Sequence, residues 1–188
     1  MLLNKFKKSF HNIKYSMNNS IFKVYTDGAC INNGYPNAKC SIGIHFSPNN
    51  FILLNDVSEY LKVEKASNNV AELTAIKKSL EIIKENKIIS PVTIYTDSMY
   101  SKNCIEKWYP SWVKKNIVHT KKNSELIKEL YDIYSSLNEH NTIKLNYIKA
   151  HTGLQDEDSI GNEIADKLAT EALNKFELKP NDIRKYFQ

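Results

Sequence analysis

Arginine is almost missing from this chain. Of 188 residues only Arg184 carries a guanidinium, so lysine is the working cation and absent arginine motifs carry no weight. Cysteine is nearly as scarce: Cys30, Cys40 and Cys104 are widely spaced, odd in number and free of any C-x-x-C pair. That leaves no disulfide framework and reads as reduced, intracellular thiols. No apolar run approaches the ~18 residues of a membrane helix, and the mean hydropathy is −0.48. A low-complexity linker is also missing, and so is any internal repeat beyond one short echo. These absences lead to the expectation of one soluble, monomeric domain in the cytoplasm, of a size that folds alone.

What is present is unevenly charged. Residues 1–20 carry Lys5, Lys7, Lys8 and Lys14 with no acid, which leaves +1 of the chain's net +5 for everything else. Within that remainder, residues 98–123 hold six lysines against Glu106 alone, whereas 154–163 hold Asp156, Glu157, Asp158 and Glu163. A basic patch and an acidic cluster on one domain point to a polyanion partner and a cation. A solvated lysine-rich face is the plainer reading of the first.

Leu3, Phe6, Phe10, Ile13 and Met17 recur at helical spacing between the lysines, so 1–20 reads as a basic amphipathic arm. An organelle presequence at 1–16 is a second reading, weakened by the missing arginines. Strands follow near 21–27, 38–47 and 51–56, joined by short turns at 34–37 and 47–50 into an antiparallel meander. Ser67-Asn68-Asn69 opens a helix to about 86, with Val70, Leu73, Ile76, Leu80 and Ile83 on one face. A strand at 92–96, lysine-rich helical segments at 99–108 and about 123–138, a strand at 142–149 and a helix from about 162 to 176 complete an α/β domain. Residues 177–188 are a tail.

The echo is Tyr-Thr-Asp, which ends the first strand at Asp27 and the fourth at Asp97. Strand, long helix and strand make a right-handed parallel crossover, so the two aspartates belong at one sheet edge. An aspartate is a poor strand residue and two side by side repel, which calls for a function. Glu72 and Asp166 fall where they can join the pair. Each has a structural alternative: a capping box with Asn69 for Glu72, and a favourable helix dipole for Asp166. Clustered carboxylates suit hard divalent cations, Mg²⁺ above all, and two such ions suit phosphodiester hydrolysis.

The stretches YTDGACINNG (25–34), SNNVAEL (67–73), YTDSMY (95–100), AHTG (150–153) and IGNEIADKLA (160–169) together resemble the type 1 ribonucleases H. The resemblance covers about residues 21–176. It implies a five-stranded mixed sheet of order 3-2-1-4-5 flanked by helices. The implied activity is cleavage of the RNA strand of RNA–DNA hybrids, leaving 5′-phosphate and 3′-hydroxyl ends. It also implies a two-ion Mg²⁺ site (Mn²⁺ substituting) on Asp27, Glu72, Asp97 and Asp166, with His151 assisting proton transfer or product release. A lone histidine is otherwise commonly a surface or packing residue.

Substrate contacts implied in the same way are Asn33, Asn68, Asn69 and the backbone of Gly28, Cys30 and Met99, reading ribose 2′-hydroxyls. Lys65, Ser67 and Asn123 match a pocket for a DNA-strand phosphate. Tyr100, Trp108 and Trp112 match aromatics of the DNA-strand channel, with core packing as the alternative for part of Trp112. Lys114 and Lys115 match a basic handle, which is shortened here. The stretch between His151 and Asp166 is longer than usual, and its acids read as a solvated loop tip that repels substrate at low salt. Within the same resemblance, a catalytically silent hybrid-binding module and a DNA-cutting enzyme remain the rival functions.

Overall fold

The chain enters its sheet at Phe22–Ile31 (β1), turns back through Lys39–Phe46 (β2), and adds a third antiparallel strand at Val57–Leu61 (β3). In this computed structural model residues 20–177 are described; the basic arm and the tail after Glu177 lie outside the described residues. Helix α1 (Asn68–Glu85) crosses over to Val92–Thr96 (β4), which pairs parallel to β1. Helix α2 (Met99–Asn103) passes through a π-helical turn, Cys104–Trp108, into α3 (Tyr109–Lys114). A 3-10 turn at Val118–Thr120 leads to α4 (Ser124–Asn138), β5 (Ile143–Tyr147) pairs parallel to β4, and α5 (Glu157–Glu177) closes the fold. The sheet order is 3-2-1-4-5, mixed, as the resemblance implies.

The sheet divides the domain into two layers. On one face α1 packs Leu73, Ile76, Leu80 and Ile83 against Phe22, Val24 and Ile94, with α4 beside it through Ile127 and Leu130. Each of these buried side chains contributes about 1.5–3 kcal/mol of transfer free energy. On the other face α5 lies across β1, β2 and β3, over the small cluster Tyr25, Tyr95 and Ala165. Contact there is close enough to require glycine: a Cβ on Gly43 of β2 would run into the Ala165 carbonyl of α5. Gly28 plays the same part on the opposite face, where a Cβ would strike the Ala71–Glu72 backbone of α1.

Three elements differ from the sequence reading. The third strand is Val57–Leu61, not 51–56. The apolar run at 51–54 forms a loop, in which Phe51 packs edge-on against Phe22 at 5.6 Å and Leu54 packs on the core. Asp56 then accepts from the Phe46 amide at 3.0 Å, so a side chain stands where a ladder partner would. Strand β1 does not stop at Asp27 but runs to Ile31; only its pairing with β4 stops there, at Thr26–Thr96. The final helix starts at Glu157 rather than near 162, because Asp156 caps it, accepting from the Ser159 amide at 3.0 Å and the Ser159 hydroxyl at 2.8 Å.

Candidate active site

The last parallel pair between β1 and β4 is Thr26–Thr96, so Asp27 and Asp97 are the next residues along two neighbouring strands. The Thr26 hydroxyl locks that end by donating to the Tyr95 carbonyl at 3.1 Å. Because Gly28 lets α1 approach β1, Glu72 reaches the same edge from the other layer. Carboxylate oxygens of Asp27, Glu72 and Asp97 all lie within 4.8 Å of one another, Asp27 and Glu72 buried and Asp97 half-buried. Asp166 of α5 adds a fourth carboxyl, close enough to Asp27 to be its hydrogen-bond partner.

The structural alternatives for Glu72 and Asp166 do not hold. The N-cap of α1 is Ser67, whose side chain accepts from Val70 N at 3.3 Å; no capping box uses Asn69 and Glu72. Asp166 lies not in the first turn of its helix but well inside it, since that helix begins at Glu157. The buried Oε2 of Glu72 has no hydrogen-bond partner. An oxygen in that state costs about 1–3 kcal/mol or more.

Burial and mutual repulsion raise the acids' proton affinity. Burial first, then the charges of Asp97 and Asp166, push the Asp27 carboxyl up to about 7. Glu72 is pushed well above the usual carboxylate range by burial and then by Asp27. Asp97 is raised by burial, against which the side chain of Asn162 donates a hydrogen bond and His151 supplies an attractive charge. Such a site favours protonation or a cation. Asn162 was missed in the sequence, although it stands within a quoted motif; nothing in its type marks it as the partner of Asp97, an acid 65 residues away.

His151 is exposed, in the left-handed region at φ 51°, on the loop between β5 and α5. That loop is tied to α5, with the Thr152 hydroxyl donating to Ser159 Oγ at 3.3 Å. Asn33 accepts from the Asn68 amide at 3.2 Å, joining the turn after β1 to the start of α1. A groove of about 380 Å³ is lined by Ser67, Asn69, Tyr100, Trp108 and Asn123. Trp112, Lys121 and Lys122 share it, with Lys121 over the Trp112 ring at 5.8 Å. Trp112 and Tyr100 also pack on the core while lining the groove. Asn123, left-handed at φ 58°, stands between this groove and a second of about 540 Å³ that includes Lys65. Met99 and Lys65 are exposed and Cys30 half-buried. Lys114 and Lys115 are exposed at the end of α3 and do not line the aromatic groove, whereas Lys121 and Lys122, not singled out in the sequence, do.

The fold and the carboxylate cluster define an α/β protein built around an acidic, metal-compatible centre. The chain belongs to the RNase H family, whose model matches residues 19–174. Ribonuclease H of Orientia tsutsugamushi is 33% identical over 81% of this chain and 82% of its own length. Human Ribonuclease H1 is 32% identical over 82% of this chain and 50% of its own. Among solved structures, the PFV RNase H domain superposes with a TM-score of 0.65 at 26% identity, covering 84% of this chain and 96% of that one. LC11-RNase H1 in complex with RNA/DNA hybrid has a TM-score of 0.55 at 21% identity, covering 82% and 98%, a likeness of fold. Among the described residues no helix is long and apolar enough to cross a membrane.

Proposed function

We propose that this chain is a Mg²⁺-dependent endonuclease that hydrolyses the RNA strand of RNA–DNA hybrids and leaves 5′-phosphate and 3′-hydroxyl ends. The observation that carries the reading is the buried, unpartnered Oε2 of Glu72 within a three-carboxylate cluster spanning less than 4.8 Å. An all-oxygen donor set of this charge fits hard divalent ions. Asp27, Glu72, Asp97 and Asp166 would hold two of them, Mg²⁺ or in its place Mn²⁺. When bound, such ions supply the Lewis-acid chemistry of an in-line phosphodiester displacement.

The remaining work falls to the chain's own side chains. Burial and like charge raise the proton affinity of Asp27, to about 7, and of Glu72, so metal uptake competes with protons at these carboxyls. Asn33, Asn68 and Asn69, with the backbone at Gly28, Cys30 and Met99, read the ribose side of the substrate. Tyr100 and Trp108 offer ring faces to the other strand, and Lys65 with Asn123 takes one of its phosphates. Lys114 and Lys115 attract the backbone at longer range. His151, near Asp97 on an exposed loop, moves a proton at the leaving oxygen.

A gel assay on a hybrid labelled on either strand tests it. RNA-strand cleavage that requires Mg²⁺ is expected. Cleavage of the DNA strand, or tight binding without cleavage, overturns the proposal.

A further inference from the structure

Asp156, Glu157 and Asp158 form part of a fastening at the start of α5, not a loop tip. Lys23 Nζ donates to Asp158 Oδ1 and to Glu157 Oε2, each at 2.9 Å. The buried Tyr25 hydroxyl donates to the same Asp158 oxygen at 2.8 Å, and the Tyr95 hydroxyl is hydrogen-bonded to Asp158 as well. Glu157 Oε1 accepts from the Ser47 hydroxyl at 2.8 Å and from Asn49 Nδ2 at 3.2 Å. Beneath this the Tyr25 ring stacks on Tyr95 at 4.9 Å and lies under Gly161, where a Cβ would come within 2.5 Å of it.

Spacing turns the fastening into a ruler. Lys23, Tyr25 and Asp27 alternate onto the α5 side of β1, and four residues of strand span about 13 Å. Asp158, Asn162 and Asp166 follow one another at four-residue steps on one stripe of α5, and eight residues of helix span about 12 Å. The two lengths match. Asp158 meets Lys23 and Tyr25 at one end, Asn162 meets Asp97 one turn on, and Asp166 meets Asp27 at the other end.

We infer that Asp158, held by Lys23 and Tyr25, is a positioning residue for the active site: it sets the axial register of α5 on β1 and so places Asp166 and Asn162 over the two aspartates. The inference rests on the proposed nuclease reading only for its consequence in turnover; the placement itself is tested without substrate. In Asp158→Ala the end contact is gone while every carboxylate of the site remains. A shift of even 1 Å at Asp166 costs on the order of a hundredfold in the most demanding cases, so a fall in kcat of about tenfold or more is expected. The KM for hybrid should stay within about twofold, since no substrate contact is touched.

The experiment measures kcat, KM and, by calorimetry without hybrid, the affinity of the metal-free protein for Mn²⁺, in wild type, Asp158→Ala, Asp158→Asn, Tyr25→Phe and Lys23→Met. Weakened Mn²⁺ binding and lowered kcat in Asp158→Ala are expected. Partial recovery is expected in Asp158→Asn, whose amide oxygen still accepts from Tyr25. Tyr25→Phe and Lys23→Met, which each remove one donor, should show the same pattern more weakly, and they carry the test if Asp158→Ala does not fold. Lowered melting temperatures with unchanged kcat and unchanged Mn²⁺ affinity overturn the inference. If wild type cleaves no hybrid, the nuclease reading fails, and the Mn²⁺ affinities alone still decide the placement.

Discussion

The two ends of the α5-facing row on β1 treat acidic groups in opposite ways. At the Lys23 end, two carboxylates meet an ammonium, two phenols, a hydroxyl and an amide. At the Asp27 end, four carboxyls meet mainly one another, and the buried Oε2 of Glu72 meets nothing. The proton affinities follow. The hydrogen bond from Lys23, then that from Ser47, holds Glu157 below the usual carboxylate range, whereas burial and like charge push Asp27 up to about 7. Burial alone would depress the Lys23 ammonium, but its bonds to Asp158 and Glu157 more than reverse that. Acids that serve structure are satisfied within the chain. Acids left unsatisfied at the sheet edge where the two layers meet are waiting for something the chain does not contain.

The largest effect should come from breaking the unsatisfied end. Asp27→Asn is expected to lower cleavage on the order of a thousandfold or more while raising the melting temperature of the metal-free protein, because it removes a ligand and a repulsion together. Near-normal turnover in that variant, measured on a saturating hybrid, would contradict the placement of the metal centre.

Next in size is the pH dependence of the metal-free fold. Asp27 has its folded pKa raised from 3.8 to about 7, so between those values the folded state binds a proton that the unfolded state has lost. Stability therefore falls as pH rises across that window, by roughly 4 kcal/mol at most from this group, with Glu72 adding in the same direction. Denaturant titrations at pH 5 and pH 8 with chelator should show the loss, and Mg²⁺ should restore stability at pH 8. A metal-free protein more stable at pH 8 than at pH 5 would mean the cluster is not strained.

Much of this was legible in the chain. The repeated Tyr-Thr-Asp and the strand-helix-strand spacing lead to parallel neighbours with both aspartates at one edge, whereas the full sheet order comes from the family resemblance. The tyrosines of the echo were not interpretable, since their role is to stack on each other and meet Asp158, a contact across more than sixty residues even from Tyr95. The acidic stretch was misread because charge alone looks like a loop tip. Its helix signal was the pair Asp156 and Ser159 at cap spacing, with acids in the first turn, whereas the apolar spacing marked the helix only from about 162. The third strand was misplaced for the converse reason: Phe51 and Leu54 are half-buried against the core without being in a ladder.

A smaller effect should follow from the satisfied end. Glu157→Gln removes the charge pair with Lys23 but keeps an oxygen for Ser47 and Asn49. The Glu157 side chain is 41% exposed, so solvent screening leaves roughly 0.5 kcal/mol. Because its folded pKa is depressed, that contribution is present above about pH 4.5 and is lost as pH falls further. Wild type and variant should converge in stability at low pH, the opposite trend to Asp27.

The smallest effect concerns Asp156, which separates the two accounts of the acidic stretch. If these acids only repelled substrate, Asp156→Asn would lower the KM for hybrid at low salt, and added salt would erase the gain. As a helix cap, Asp156 is nearly matched by asparagine, whose one side-chain oxygen still accepts from the Ser159 amide while its Nδ2 donates to a turned Ser159 hydroxyl. Asp156→Asn should therefore leave melting temperature and KM almost unchanged, whereas Asp156→Ala should lower the melting temperature and speed amide exchange at Ser159 and Ile160. The sensitive quantity is the contrast between those two variants. A drop in KM common to both, with no loss of exchange protection in Asp156→Ala, would return the stretch to the role of a charged loop and weaken the case for a fastened α5.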